Sequence, residues 1–266
     1  MKAITSLPDW AIISGCLLAA GAVAWLGFFT LHARVRVANR GQVHAIAAPL
    51  MPALGALFAV LAALTLSNEA GYLRSAQDVV SNEAADASRL AWAATSPGVD
   101  TASIQHDLSA YLVTTTRDEW KGTGASEGMD PATRQTLARL EQTVRAEASR
   151  AGLGTATGTE LLSALDDLSK SRRARIADAS RQLPVLYVVT LAASGVALLV
   201  NAAALTLGAM RRVALTLTGL SVVVGLSLAL LFAITAPYGG PLTVSRQPIA
   251  RVVQDLRSGF FSTASV

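Results

Sequence analysis

The sequence predicts an all-α integral membrane protein, with four transmembrane helices and an extramembrane helical domain between spans two and three. Three observations carry this. Only 15% of the 266 residues are charged and 52% are hydrophobic, with a mean hydropathy of +0.44; a soluble domain has about 25% charged residues. The charges are segregated: residues 67–183 hold 29 of the 40, and the other 149 residues hold 11. Four runs without Asp, Glu, Lys or Arg approach the roughly 20 apolar residues that a helix needs to cross a bilayer. The same composition excludes a disordered chain, which would be charged and poorly hydrophobic. The single Cys16 excludes a disulfide scaffold.

The first span covers about 10–31. It is longer than the roughly 7–15 residues of a signal-peptide core, and Arg34, Arg36 and Arg40 follow it as a stop-transfer pattern, so it reads as a retained helix. Cys16 inside it reads as a small packing residue. Span two covers about 46–66 and completes an N-terminal pair in 1–66. Its Pro49 and Pro52 read as first-turn prolines, where the missing N–H is harmless. Spans three, about 185–208, and four, about 213–236, form a C-terminal pair in 184–236, antiparallel because only 208–212 joins them. Ser221, Gly225 and Ala229 recur four apart, a ridge for close helix–helix contact, and Asn201 reads as a residue that hydrogen-bonds across helices.

The charged domain, 67–183, has a net charge of −3 against +7 for the flanks. Its first helix, about 68–95, continues span two, with Leu73, Val80, Ala84, Ala87, Leu90 and Ala91 at helical spacing. Pro97-Gly98 ends it. A second helix, about 101–121, carries Ile104, Leu108, Tyr111 and Leu112 on one stripe, and 122–128 is a loop. Asp130-Pro131 reads as an N-cap followed by a first-turn proline, opening a helix to about 151 with Leu137, Leu140 and Val144 inward. After a Gly/Thr-rich turn, Thr159 caps a fourth helix with Leu161, Leu162, Leu165, Leu168 and Ile176, and Pro184 divides it from span three. These stripes are narrow and need partners. The 28 residues projecting from span two favour a homo-oligomeric stalk. Residues 237–266 form a Pro/Gly exit segment, in which Tyr238 sits at headgroup level, and a short amphipathic helix that lies on the membrane or covers the stalk. Ser245 caps that helix, and Ile249, Val252, Val253 and Leu256 form its apolar face.

Several functions are excluded. No span carries Asp, Glu, Lys or Arg, which argues against pumps, proton relays and voltage sensors. His32, His44 and His106 lack Cys or carboxylate partners at metal-ligand spacing. The glycines of 152–158 follow no strand and precede no Lys-Ser/Thr, so they are not a phosphate loop. Asp118-Glu119 and Asp166-Asp167 read as solvated faces. With no catalytic constellation and no cofactor motif, neither an enzyme nor a bound cofactor is expected. No basic stripe is interleaved with aromatics, which excludes nucleic acid. Arg172, Arg173 and Arg175, just before span three, read as anionic-headgroup contacts or as a positive ring at a pore mouth. The expected partners are the lipid bilayer, further copies of the chain and a small ion.

Both short loops, about 32–45 and 209–212, carry arginines and no acid. The positive-inside rule places them in the cytoplasm, with the middle domain and both termini outside.

Several motifs are shared with a known family. They are residues 83–90 with Glu83, Tyr111 followed by Glu119-Trp120, Arg172 and Arg175 ahead of Leu183-Pro184, and Pro237-Tyr238-Gly239-Gly240-Pro241-Leu242. On these the chain resembles the bacterial bestrophin-like domain family, four-span membrane proteins of largely uncharacterised function. It departs at Ala236, where an acid is usual, and at Tyr187, where a Trp is expected. The resemblance implies a bacterial inner-membrane protein and an analogy with bestrophins, pentameric anion channels whose second span lines a hydrophobic neck. Leu54, Phe58, Leu61 and Thr65 are the corresponding pore-lining face. It also implies a cytosolic helical domain, opposite to the positive-inside reading. Two functions follow: an oligomeric passive ion channel, or a non-conducting sensor or scaffold whose helical domain binds a partner.

Overall fold

The computed structural model describes residues 9–120, 130–150, 152–180, 184–207, 210–234, 238 and 243–262. Among these every regular element is helical. They are α1 (Asp9–Arg34), a 3₁₀ turn (Val37–Asn39), α2 (Arg40–Ala93), α3 (Thr101–Asp118), α4 (Pro131–Ala148), α5 (Thr155–Ala179), α6 (Val185–Leu205), α7 (Met210–Ile234) and α8 (Gln247–Ser258). The expected 122–128 loop lies outside the described residues. The chain divides into two compact units.

The first unit takes Met1–Gly71, Gln182–Ala236 and Gly240–Leu242. Four helices are long and apolar enough to cross a membrane: Trp10–Arg34, Val37–Ala93, Val185–Leu205 and Leu215–Ile234. Within the unit α1 packs on α6 and α7, and α6 on α7. The shared core includes Ala24, Phe28, Phe58, Leu198, Leu199, Val224 and Leu231. Small residues set its closest approaches. A Cβ at Gly225 would lie 3.0 Å from Leu17 Cα and 3.2 Å from the Cys16 carbonyl oxygen. Ser221 and Ala229 on the same ridge are buried, so this ridge is a contact within one chain. Asn201 Nδ2 donates to the Ala47 carbonyl at 3.0 Å, joining α6 to α2 as expected.

Pro49 and Pro52 differ from their expected position. The α2 helix begins at Arg40, which puts both prolines inside it. The polar residues before the apolar run are already helical, and Arg40 is anchored by donating to the Leu207 carbonyl at 3.3 Å. Each proline lacks an N–H, so the carbonyls four residues earlier, Ala45 and Ala48, lose their helical donors. Membrane helices tolerate this where neighbouring groups compensate.

The second unit takes Tyr72–Arg181, Pro237–Gly239 and Thr243–Val266. Asp130 caps α4 as expected, accepting from Thr133 N at 2.7 Å, and Asp100 caps α3, accepting from Ser103 N at 3.2 Å. The start of α5 differs: its N-cap is Gly154, and the Thr159 hydroxyl bonds back to Thr155 O instead. A Cβ at Gly158 would lie 2.8 Å from Ala148 O, so α4 and α5 touch backbone to backbone there. Val80, Ala87, Leu90 and Ala91 of α2 are fully buried with Ile104, Leu108, Leu112, Leu140, Val144, Leu161 and Leu168. Leu162, one residue round the helix from Leu161, is exposed. The part of α2 in the second unit is therefore covered by its own chain. The amphipathic α8 adds Ile249, Val252 and Val253 to this core and packs on α3. Ser245 Oγ accepts from Gln247 N at its start, and Gly259, at φ 74°, closes its end.

Candidate functional site

Polar side chains converge in the middle of the second unit. On α2, Glu83 falls in register with Ala76, Val80, Ala87 and Leu90, spaced four and three apart. On α5, Arg172 and Arg175 continue the row Leu161, Leu165 and Leu168 in the same way. Helical periodicity thus carries two arginines and an acid into core positions. Glu119, the C-cap of α3, and Trp120 complete the set.

Arg175 sits at the centre. Its Nε donates to Glu83 Oε2 at 2.5 Å and its Nη2 to Glu119 Oε2 at 2.7 Å. Arg172 Nη2 donates to Glu119 Oε1 at 2.5 Å. Tyr111 Oη donates to Glu83 Oε1 at 2.7 Å. The Arg175 guanidinium carbon lies 5.4 Å from the centre of the Trp120 ring, close enough for a cation–π contact. Trp120 Nε1 donates to the Val244 carbonyl at 3.1 Å, and the ring meets Tyr238 edge-on with centroids 5.5 Å apart. Arg175, Glu83 and Glu119 have no solvent exposure.

Two carboxylates face two guanidinium groups, so the cluster is neutral as a whole. Burial alone would lower the Arg175 pKa, but the Glu83 carboxylate and its neighbours outweigh it and the net shift is upward. Burial, and then the Glu83 charge, push the Tyr111 hydroxyl well above the ordinary tyrosine value. Burial also raises Tyr238, opposed by Arg175. Such a cluster fixes geometry more than it adds stability, because desolvating the ions offsets most of their attraction. It presents no exposed nucleophile, so its chemistry is that of a clamp. Among the described residues no group of three His, Cys, Asp or Glu side chains gathers to hold a metal.

This placement corrects three expectations. Glu119, read as part of a solvated face, has no solvent exposure and pairs with both arginines. Arg172 and Arg175 are neither headgroup contacts nor a pore-mouth ring, because both are buried against glutamates; Arg173, one position round the helix, is exposed. The expected pore-lining face of span two also turns inward. Phe58 and Thr65 are buried, Leu54 and Leu61 pack against the same core, and the Phe58 ring comes within 3.4 Å of where a Gly195 Cβ would stand. A face committed to packing within one chain cannot also line an axis between chains. Glu83, Tyr111, Glu119, Trp120 and Tyr238 are brought together. Pro184 is the exposed N-cap of α6, and Pro237 and Gly240 lie outside the described residues.

Four membrane-length apolar helices, with a helical unit clamped by a buried ionic cluster, define a multi-pass helical membrane protein. The Bestrophin-like domain model matches residues 18–249. That is most of the chain, which belongs to the bestrophin-like domain family. No curated protein and no solved structure matches it.

Proposed function

We propose that the chain is one subunit of an oligomeric membrane protein that passes small ions passively, with anions favoured, as the likeness to bestrophins implies. One observation carries this reading. On the outward side of α2, Ala53, Leu57, Val60 and Leu64 recur four, three and four apart. The three large ones are 50 to 59% exposed. That spacing is the seam by which helices pack against copies of themselves. A ring of such seams would form an apolar constriction, which gates by dewetting and needs no ionisable residue. It replaces the inward Leu54, Phe58, Leu61 and Thr65 as the pore wall. The acid-free, arginine-bearing short loops favour anions at one mouth.

The purified protein, reconstituted in liposomes, is expected to pass chloride. Leu57→Ala and Val60→Ala should change that flux with the oligomer intact. No flux from an intact oligomer, or a monomer in the bilayer, sinks the reading. We place the protein in the bacterial inner membrane, with the helical domain outside by the positive-inside rule; reporter fusions after Thr123 and at the C-terminus test that side.

A second reading is a non-conducting sensor or scaffold. Its support is an aromatic edge on the second unit. Trp92 and Phe260 are 49% and 60% exposed and both pack against Phe261, the kind of patch that marks a protein-binding surface.

A further inference from the structure

The first unit holds a groove of about 760 Å³ walled by α1, α2 and α6, with Leu31, Val43, Ile46, Leu50, Val196 and Val200 among its lining. It is open along its outer side and does not form an enclosed cavity. Its one amide, Asn201, points its nitrogen at the Ala47 carbonyl. The wall therefore suits hydrocarbon.

The charge at one end of the groove is one-sided. Arg34 lies one turn beyond Leu31 on α1, and Arg40 one turn before Val43 on α2; residues three apart are neighbours on a helix surface. Arg36 lies between them, and Arg34 and Arg36 are exposed. No Asp or Glu occurs between Trp10 and Asn68, or from Gln182 to Gln254. A second copy of the chain would bring to the groove only its own acid-free spans, which leave the arginines unpaired. An anionic phospholipid satisfies both halves: an acyl chain fits the apolar wall, and a phosphate meets the basic end. Lipid tails gain nothing by leaving other lipid for an apolar wall, so selectivity rests on the headgroup charge.

We propose that this groove is a binding site for one anionic phospholipid, with Arg34 and Arg36 holding its phosphate. The test is native mass spectrometry of the full chain released from nanodiscs of phosphatidylglycerol or of phosphatidylcholine. Wild type should retain one phosphatidylglycerol per chain and prefer it about thirtyfold, the ratio that two charges worth about 1 kcal/mol each give when every ~1.4 kcal/mol is tenfold. Arg34→Gln/Arg36→Gln should reduce that preference to near parity. Arg40 is left intact because it anchors the end of α6. Ala197→Phe, at an exposed position on the groove wall, should expel either lipid with helicity and elution unchanged. Equal retention of the two lipids by wild type overturns the proposal. So does Ala197→Phe with phosphatidylglycerol still bound, which leaves only loose surface attraction. Loss of an oligomer in Ala197→Phe also overturns it, making the groove an interface between copies.

Discussion

Arg175 donates to Glu119 at 2.7 Å, and neither side chain touches solvent. The pair closes a path from α5 to the end of α3, and through Arg175 Nε to Glu83 on α2. Replacing Arg175 by Leu leaves the Glu83 carboxylate with Tyr111 but no opposing charge, and Glu119 with one partner fewer. The stability of the full chain should fall by about 3–5 kcal/mol, seen as a lower midpoint of thermal unfolding followed by tryptophan fluorescence in detergent. Arg175→Lys should recover little, because an ammonium lacks the planar fork that reaches both glutamates. A wild-type midpoint in Arg175→Leu would mean that the cluster holds nothing in place.

Tyr111 gives the same cluster an alkaline limit. Its hydroxyl, which faces Glu83 with Arg175 and Arg172 nearby, stays protonated above its ordinary value of 10.0. The folded chain therefore keeps a proton that the unfolded chain releases. Its stabilising effect is complete below about pH 10 and fades as the pH rises beyond that. Tyr111→Phe removes a hydrogen bond to a charged group, worth about 1.5–3 kcal/mol. The variant should start less stable at pH 8 and lose less between pH 10 and 11 than wild type. Parallel curves would contradict this.

In the first unit the sharpest constraint is steric. Gly225→Ala places a methyl 3.0 Å from the Leu17 backbone, and overpacking of that kind costs about 1–3 kcal/mol. Gly219→Ala on the same helix meets nothing within 4 Å; it should be neutral or stabilising by up to about 1 kcal/mol, from helix propensity alone. Thermal midpoints of the two variants, compared side by side, should move apart.

Asn201→Leu removes the bond from α6 to the Ala47 carbonyl. Measured interhelical hydrogen bonds in membranes suggest a cost of about 0.6–2 kcal/mol. The midpoint should shift less than for Arg175→Leu, and a shift of equal size would show that Asn201 does more than join two helices.

Local chemistry was readable from sequence wherever it was self-contained. Asp130-Pro131 declares a helix start because the cap and the proline act on their own first turn. Pro49 and Pro52 mislead because hydropathy reports lipid depth, and α2 begins six residues ahead of the apolar run. The clamp was half legible. Glu83, Arg172 and Arg175 stand in the heptad-like rows of buried leucines and alanines, so their inward direction is written in the spacing. Their pairing is not, since Arg175 and Glu83 are 92 residues apart and nothing local matches one acid to one arginine. A run of arginines beside a span resembles a lipid-facing belt until the opposing glutamates are seen.

The bond from Trp120 to the Val244 carbonyl spans 124 residues, and the core it belongs to also needs Ile249, Val252, Val253 and Phe261. A ribosome adds roughly 5–20 residues per second, so about 6–25 s separate the synthesis of the two partners. Both C-terminal spans are made in that interval. The helical unit is thus begun before both C-terminal spans are made and is completed only after them. A nascent chain arrested before Val244 carries the ionic cluster with Trp120 lacking its carbonyl partner and without the cover of α8, in a form open to proteases and chaperones.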